Sequence, residues 1–292
     1  MIITRLIGGL GNQMFQYALG RALALRNNTT LKLDLHLLLD RTPMLGVIHR
    51  DFDLSVFQIH AESASAEEIP FLRRLHMSSK LSRSLDNLRR RCVSNPARER
   101  SFRFDPSVLA LSDGVYLDGY WQSPKYFTGI EDIIRDDFTF VTPIPEHVLE
   151  LEKTVAESDS VCVNVRRTDF VGSRRHDCVG VDYFANAFRV IQGRVHSPKV
   201  YIFSDDIEWC KANLMFDCDV THVGHEFAGV KFACYLWLMS HCRHFIIPNS
   251  TFAWWAAWMN VGRDKIVVAP KRWFTDETIS TSDLIPKTWI QV

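Results

Sequence analysis

Short strands and helices alternate through the second half of the chain, and this pattern constrains the fold most. Apolar runs rich in β-branched residues predict strands at Ser160–Val165, Val200–Ser204, Val220–Val223, Phe245–Ile247 and Ile266–Ala269. Helical spacing of apolar residues in the intervals predicts helices at Asp182–Gln192, Ile207–Leu214, Gly229–His241 and Thr251–Asn260. Such alternation is typical of a parallel sheet with helices on both faces. Ligands bind such sheets at the carboxyl ends of the strands.

The chain begins with a second unit of the same kind. Met1–Ile7 is apolar like a buried strand, and a glycine-rich turn follows it. Gln13–Arg26 has helical spacing with Asn12 as its expected N-cap, and Leu31–Leu35 alternates like a further strand. We therefore expect a β–turn–α–β unit at this end of the chain.

The region between residues 40 and 145 carries weaker signals. Asp51–Phe57 fits a short strand, and Phe71–Val93 has mostly helical spacing. The stretch VTPIPEH at 141–147 contains two prolines and predicts a domain boundary. We therefore expect an α/β protein with two Rossmann-like domains, 1–147 and 148–292, which face each other across a cleft.

Charge and cysteine content exclude several classes of protein. The 292 residues include 34 Lys and Arg and 34 Asp and Glu, and this balance argues against nucleic-acid binding. The seven cysteines form no CxxC pair, so we expect reduced thiols and no zinc site. Since no signal-peptide pattern and no apolar run of spanning length is found, we expect a cytoplasmic protein.

The balanced total conceals one strongly basic segment. Between Phe71 and Arg103 there are ten Lys and Arg residues and two acidic residues. A solvated face of a packed helical region is slightly favoured, because the apolar residues recur at helical spacing. The alternative is a peripheral contact of residues 73–103 with the anionic inner face of a membrane, which would suit a lipid-linked acceptor.

The glycine turn offers backbone N–H groups to an anion. Gly9 and Gly11 precede a helix start, where phosphate groups bind readily. The dinucleotide fingerprint is incomplete, because Met14 occupies the place of its third glycine. Asp34, 23 residues beyond Gly11, keeps an NAD-dependent oxidoreductase as an alternative. A tight turn without any ligand is the other interpretation.

Charged side chains follow the strand at Ser160–Val165. Arg166 and Arg167 leave an apolar strand, where positive charges are costly unless an anion or a carboxylate neutralises them. An arginine fork matches phosphate oxygens in a bidentate way. We expect Arg166 to bind an anion, while Arg167 could form a structural pair with Asp169.

Two further strand ends carry polar residues. Ser204, Asp205 and Asp206 could bind ribose or guanine, or one acid could cap the next helix. Asn249, Ser250 and Thr251 open an aromatic helix whose tryptophans we expect in the core, and this helix start suits a phosphate. Together these residues predict a nucleotide-diphosphate site in which arginines and helix dipoles, rather than a metal, neutralise charge.

Five motifs resemble glycosyltransferase family eleven, the α-1,2-fucosyltransferases. They are GGLGNQMFQYA at 8–18, GYWQSPKYF at 119–127, VRRTD at 165–169, FSDD at 203–206 and NSTFAWWAAWM at 249–259. The resemblance implies a GT-B-like fold, GDP-β-L-fucose as donor, and the 2-hydroxyl of a galactose-terminated glycan as acceptor. It also implies inversion at the anomeric carbon and no metal requirement.

The resemblance assigns roles to single residues. Arg166 matches the arginine that holds the β-phosphate, and Asp169 matches the terminal acid of the same motif. Asn164 stands where histidine is usual, and since an amide cannot act as a titrating base, a catalytically silent sugar-nucleotide-binding protein is a second alternative. The remaining donor-binding candidates are Gly9, Gly11, Gln13, Arg167, Ser204, Asp205, Asp206, Asn249, Ser250 and Thr251.

The first half would supply the acceptor side. We expect Asn12 and Gln13 to position the acceptor hydroxyl and the β-phosphate. Tyr120 and Trp121 could stack on a sugar or belong to the core, and Gln122 lies beside them in the motif. The unranked candidates for a general base are Asp34, His49 and Asp53.

Overall fold

The structure is a computed structural model of the chain and describes residues 1–42, 49–69 and 95–292. It contains two compact units. The first comprises residues 1–141 with 282–284, and the second comprises residues 142–281 with 285–292. The division that the sequence predicts, between residues 147 and 148, falls inside the first helix of the second unit, Glu146–Ala156.

A parallel sheet forms the centre of the first unit. In the described residues its spatial order is β3–β2–β1–β5–β4, with bounds Ile2–Arg5 (β1), Leu31–Asp34 (β2), Glu62–Ser63 (β3), Asn95–Arg98 (β4) and Val115–Asp118 (β5). The accompanying helices are Leu10–Arg26 (α1), His36–Leu39 (α2), Pro106–Leu109 (α3) and Glu131–Asp137 (α4). Helix α1 is buried along most of its length, so it fixes the glycine turn that precedes it.

Two predictions for the first unit are wrong. The segment 51–57 is not a strand, because Asp53–Val56 forms a 3-10 turn and Phe57 makes only an isolated bridge with Phe140. Helix α1 begins at Leu10 with Gly9 as N-cap, so Asn12 lies inside the first turn. The predicted helix 71–93, and with it most of the basic segment, lies outside the described residues.

The second unit has a parallel sheet in the order β11–β10–β9–β6–β7–β8. Its strands are Ser160–Val165 (β6), Lys199–Ser204 (β7), Val220–Val223 (β8), His244–Ile246 (β9), Val267–Ala269 (β10) and Ile290–Gln291 (β11). Its helices are Glu146–Ala156 (α5), Val181–Gln192 (α6), Ile207–Asn213 (α7), Ala233–Ser240 (α8) and Thr251–Met259 (α9). The predicted strand–helix alternation is confirmed, and β11 is an additional strand.

The core of the second unit follows from this pattern. Val161, Val163 and Phe184 are buried between the sheet and helix α6, and Trp254 and Trp255 of α9 are fully buried, as predicted. The predicted helix 229–241 is interrupted, because Lys231 and Phe232 have left-handed backbone in the 3-10 turn Val230–Phe232 that precedes α8. The α/β fold with two parallel-sheet units is therefore confirmed.

Two further findings concern the described parts of the chain. None of their helices combines the length and the apolar composition that crossing a membrane requires. Their six cysteines, at 162, 178, 210, 218, 234 and 242, are free thiols. Cys92 lies outside the described residues.

Candidate functional site

A fixed positive charge stands at the carboxyl end of β6. Arg166 Nε donates to Asp169 Oδ1 at 2.7 Å, and its Nη1 lies 3.1 Å from Asp205 Oδ2. Burial alone would lower the pKa of Arg166, but the bond to Asp169 and the charge of Asp205 outweigh burial and raise the pKa. With 28% of its side chain exposed, Arg166 remains a cation that solvent or a ligand can reach.

The guanidinium of Arg166 has one nitrogen, Nη2, that contacts neither carboxylate. Nε and Nη1 bind the two carboxylates, whereas no partner of Nη2 is found among the described residues. An arginine presents five N–H donors in one plane, so Nη2 can approach two oxygens of an anion while the rest of the fork stays anchored. Arg166 therefore has the geometry of a phosphate-binding residue.

Asp205 organises the loop that carries this arginine. Its carboxylate accepts hydrogen bonds from the backbone N–H of Arg167 at 2.9 Å and of Thr168 at 3.1 Å, and from the Thr168 hydroxyl at 2.6 Å. These bonds join the end of β6 to the end of β7. In the structure Asp205 therefore anchors the loop after β6, whereas the sequence had suggested that its carboxylate could bind guanine or ribose.

Asp206 and Arg167 form a second pair beside the first. Asp206 caps helix α7 by accepting from the backbone N–H of Trp209 at 3.1 Å, so the prediction that one acid caps this helix is confirmed. Arg167 Nε lies 3.3 Å from Asp206 Oδ2, and its guanidinium carbon lies 3.6 Å from the centre of the Trp209 ring. Ser204 is buried, and its Oγ accepts from the N–H of Asp206 at 2.9 Å.

The side-chain amides of two buried asparagines, Asn164 and Asn249, donate hydrogen bonds to backbone carbonyls. Asn164 Nδ2 donates to the Phe203 carbonyl at 3.1 Å and so ties β6 to β7. Asn249 Nδ2 donates to the carbonyls of His176 at 3.0 Å and Trp273 at 2.9 Å, which joins two loops at the same sheet edge. Both amides are therefore part of the scaffold around Arg166.

The start of helix α9 follows Asn249. Ser250 occupies the N-cap position without a side-chain cap bond, and Thr251 is the first helical residue. The first backbone N–H groups of a helix lack partners inside that helix and carry its positive dipole end. The predicted helix start is therefore present, at the carboxyl edge of the sheet that carries Arg166.

An aromatic group beside Arg166 was missed from sequence. The rings of Phe170 and His176 stack with centres 4.8 Å apart, and the Arg166 guanidinium lies 5.9 Å from the Phe170 centre. Burial and the positive charge of Arg175 lower the pKa of His176 below its ordinary value. A neutral, flat surface thus adjoins the arginine. No periodicity marks this loop, so sequence patterns could not reveal it.

The glycine turn of the first unit is held by two buried glutamines. Gln13 donates to the carbonyls of Gly8 and Asp51, both at 2.9 Å, and accepts from the N–H of Asp53 at 2.9 Å. Gln16 was not among the residues predicted from sequence. Its Oε1 accepts from the backbone N–H of Ile7, and its Nε2 donates to the carbonyls of Ile7 and Gly119. The Gln13 amide is therefore occupied by backbone, while Gly9 caps helix α1 and Gly11 lies in its buried first turn.

The motif at 119–122 lies at the carboxyl end of β5. Trp121 is 1% exposed and belongs to the core, the second of its two expected roles. Tyr120 is half-buried, and its ring stacks on Phe102 at 6.3 Å. Gln122 Nε2 donates to Asn12 Oδ1 at 2.9 Å, so these two candidates are in direct contact.

Three candidates for a general base occupy different environments. Asp34 is fully buried and accepts from the Tyr116 hydroxyl at 2.6 Å and the N–H of His36 at 3.0 Å. His49 is exposed, with its Nδ1 3.0 Å from the Asp40 carbonyl, and Asp53 opens the 3-10 turn. Asp34 therefore has no surface for a substrate or for the ribose of NAD.

Glu99, which follows β4, was not among the residues predicted from sequence. Its carboxylate accepts from the backbone N–H groups of Tyr120 at 2.8 Å and Trp121 at 2.9 Å. Burial raises the pKa of Glu99 above its ordinary value despite these two bonds, which act in the opposite direction. In the described parts of the chain, no three His, Cys, Asp or Glu side chains group in a way that could hold a metal ion.

Comparison with known proteins gives consistent relatives. The family model for glycosyl transferase family 11 matches residues 97–292. An Escherichia coli alpha-1,2-colitosyltransferase is 30% identical over 100% of this chain and 99% of its own length. A Caenorhabditis elegans galactoside 2-alpha-L-fucosyltransferase is 26% identical over 63% of this chain and 55% of its own length.

Solved structures agree in fold. The NodZ alpha-1,6-fucosyltransferase co-crystallized with GDP is similar with a TM-score of 0.51 and 15% identity, over 88% of this chain and 91% of that one. A variant of Arabidopsis thaliana FUT1 in complex with GDP gives a TM-score of 0.50 and 11% identity, over 98% and 74%. The sequence match covers most of the chain, and the chain belongs to glycosyl transferase family 11.

Proposed function

We propose that this glycosyltransferase moves L-fucose from GDP-β-L-fucose to the 2-hydroxyl of a terminal galactose, with inversion and without a metal ion. The observation that carries the proposal is Arg166, a partly exposed cation fixed by two carboxylates with Nη2 left for a ligand. Such a group stabilises the charge of a departing diphosphate. The names of two relatives, the alpha-1,2-colitosyltransferase of Escherichia coli and the galactoside 2-alpha-L-fucosyltransferase of Caenorhabditis elegans, support transfer to a 2-position.

The reaction breaks the bond between the fucose anomeric carbon and the β-phosphate oxygen. The electron pair goes to the phosphate, where Arg166 and the start of α9 stabilise it. The acceptor oxygen bonds to the same carbon from the opposite face, and its proton passes to the solvent. Since Asn164 offers no titrating group, the mechanism depends on stabilisation of the leaving group.

The two alternatives have less support. An NAD-dependent oxidoreductase would need an accessible acid for the ribose, but Asp34 is fully buried against Tyr116. A catalytically silent binding protein follows only if position 164 must titrate. The Asn164 amide instead donates to the Phe203 carbonyl. Arg166, close by in the chain, keeps both of its carboxylate partners, Asp169 and Asp205.

A donor and acceptor panel tests the proposal. The purified protein is incubated with GDP-fucose or a colitosyl donor, each with and without galactose-terminated acceptors. GDP release is followed over time, and NMR spectroscopy of the product reports the linkage and the anomeric configuration. We expect acceptor-dependent release of GDP from GDP-fucose and an α-1,2 product. Transfer from the colitosyl donor alone would contradict the proposed donor, and release without any transfer would contradict the proposed reaction.

A further inference from the structure

Four charged residues stand side by side at the carboxyl ends of four adjacent strands of the first unit. In the spatial order of the sheet they are Asp34, Arg5, Asp118 and Arg98, the last residues of β2, β1, β5 and β4. The register pairs Arg5 with Asp34 and Arg98 with Asp118, and Arg5 and Asp118 directly follow the last paired residues of β1 and β5. Acidic and basic residues therefore alternate along this edge of the sheet, and we call the four residues the charged row.

Ion pairs join three members of the charged row. Arg5 Nη1 lies 2.7 Å from Asp118 Oδ1, and Arg98 Nε lies 3.4 Å from Asp118 Oδ2. The side chain of Asp34 is fully buried, whereas those of Arg5 and Asp118 are 25% and 19% exposed. Arg5 and Asp118 are therefore held by each other and remain open to solvent.

The pair of Arg5 and Asp118 has unused capacity for hydrogen bonds. A carboxylate has about four lone-pair positions, and a guanidinium has five N–H donors. Within residues 1–42, 49–69 and 95–292, the side chain of Asp118 pairs with one nitrogen of each arginine, and Arg5 Nη2 has no partner. Arg5 Nε is buried, so a ligand would meet the Nη1 and Nη2 end of the guanidinium. The pair thus presents both acceptors and donors.

These two residues also lie where the order of the sheet reverses. From β1 the chain passes through α1 to β2 on one side, whereas β5 and β4 lie on the other side of β1. In open parallel sheets, ligands bind in the crevice outside the carboxyl ends of the strands at such a point. In the first unit these strands are β1 and β5, which end in Arg5 and Asp118. The topology and the polar side chains therefore indicate the same position.

The chemistry of the pair indicates the class of ligand. The oxygens of Asp118 only accept hydrogen bonds, so they require a ligand that donates, and an ionised phosphate does not donate. Arg5 requires an acceptor at the same place. A sugar hydroxyl both donates and accepts, so two neighbouring hydroxyls can bind the carboxylate and the guanidinium at once. An uncharged sugar therefore fits this pair better than an anion does.

We propose that Arg5 and Asp118 bind the acceptor sugar, with Asp118 accepting from one ring hydroxyl and Arg5 donating to its neighbour. This inference rests on the proposed function, because that function supplies a galactose as acceptor. The pair binds and orients the sugar, while Arg166 stabilises the departing diphosphate. Changes at Arg5 or Asp118 should therefore weaken the acceptor and spare the donor.

Two conservative variants test this role. D118N keeps the shape but replaces one accepting oxygen by a donor, and R5K keeps a positive charge beside Asp118 but removes the planar fork. For both we expect KM for methyl β-galactoside to rise about ten- to a hundredfold, the scale of one lost hydrogen bond to a charged group, with KM for GDP-fucose changed less than twofold. The matched control D132N alters an exposed acid of α4 and should change neither KM. An acceptor KM within twofold of that of the unmodified protein in both variants would overturn the inference.

Acceptors that lack one hydroxyl distinguish direct contact from a merely structural role. The 3-, 4- and 6-deoxy forms of methyl β-galactoside are compared with the parent sugar. If Asp118 binds one of these hydroxyls, removal of that hydroxyl should lower kcat/KM in the unmodified protein but change it less than twofold in D118N. Losses that multiply for all three deoxy sugars would overturn the inference, because a general disturbance of the structure weakens every acceptor alike.

Binding measurements separate this inference from the proposed function. Saturation-transfer NMR titration of methyl β-galactoside in the presence of GDP reports acceptor binding without turnover. We expect weaker binding to D118N and R5K, with GDP affinity by calorimetry unchanged, and thermal unfolding shows that the variants are folded. Equal acceptor binding by all three proteins would overturn the inference even if the unmodified protein transfers fucose. Bound acceptor without any transfer by the unmodified protein would count only against the proposed function.

Discussion

Replacement of Arg166 by alanine tests the assignment of the diphosphate site most directly. The guanidinium is the group whose Nη2 is left for an anion at the end of β6. Loss of one donor that stabilises a developing negative charge typically costs about 10²–10³ in rate, or about 2.7–4 kcal/mol. We expect kcat/KM for GDP-fucose to fall by that factor in R166A, with weaker binding of GDP.

The same substitution also affects stability, and this effect must be separated from the rate. Arg166 pairs with Asp169 and approaches Asp205, and hydrogen bonds to charged groups contribute about 1.5–3 kcal/mol when buried. Since the side chain is 28% exposed, solvent screening places the cost at or below the lower limit. A loss of about 1 kcal/mol lowers the unfolding midpoint by about 2–4 °C. The variant should therefore remain folded in the assay.

Initial rates of GDP release, with thermal unfolding and calorimetric GDP titration, check both expectations. The matched control is Arg189→Ala on an exposed position of α6, where the arginine bonds to the neighbouring Asn186. This control removes the same charge and should leave turnover unchanged. A turnover of R166A within twofold of the unmodified protein would refute the assignment of the diphosphate to this arginine.

Three further predictions follow from single residues of the structure. Asp205→Asn replaces one of the two oxygens that anchor the loop by a hydrogen-bond donor. The free energy of unfolding should therefore fall by about 1–3 kcal/mol, and the affinity for GDP should fall with it. Urea unfolding and calorimetric titration measure these two effects, and an unchanged affinity for GDP would contradict the prediction. The pKa of Glu99 is raised in the folded protein, so the folded state binds this proton more tightly than the unfolded state. The stability advantage of the unmodified protein over Glu99→Gln should therefore decline as pH rises above about 4.3, the ordinary pKa of a glutamate; an advantage that grows with pH in urea unfolding would contradict it. Transfer should survive dialysis against EDTA without loss, and a loss that Mn²⁺ or Mg²⁺ restores would contradict the proposed metal independence.

The fold of the second unit could be predicted in detail because its central strands are buried on both sides. Ser160–Val165 has the predicted bounds, since a mostly apolar run marks it in sequence. Val220–Val223, a partly exposed strand at the edge of the sheet, also has the predicted bounds. The first unit shows the limit of such patterns. Alternating apolar residues at 51–57 suggested a strand, but the backbone of Asp53 donates to Gln13, and this tertiary bond accompanies a 3-10 turn.

The candidate site could be predicted as a set of residues but not as a set of roles. Arg166 was selected because two adjacent arginines at a strand end require anionic partners, and charge is visible in sequence. Asn249 and Gln13 were selected for ligands, yet their amides bind backbone groups far away in the chain. Glu99 was missed for the same reason, because its partners Tyr120 and Trp121 belong to another strand end.

Position 164 shows how such contacts change the interpretation of a departure from a family pattern. Asn164 and Phe203 are paired in register, and the next residues in each strand lead directly to Arg166 and Asp205. The amide bond from Asn164 to the Phe203 carbonyl therefore joins the two strands immediately before the arginine and its carboxylate partner leave the sheet. Such a tether needs a hydrogen-bond donor but no change of protonation state. An asparagine in place of histidine thus preserves the spacing on which the Arg166–Asp205 contact depends, and the substitution is compatible with a catalytically active protein.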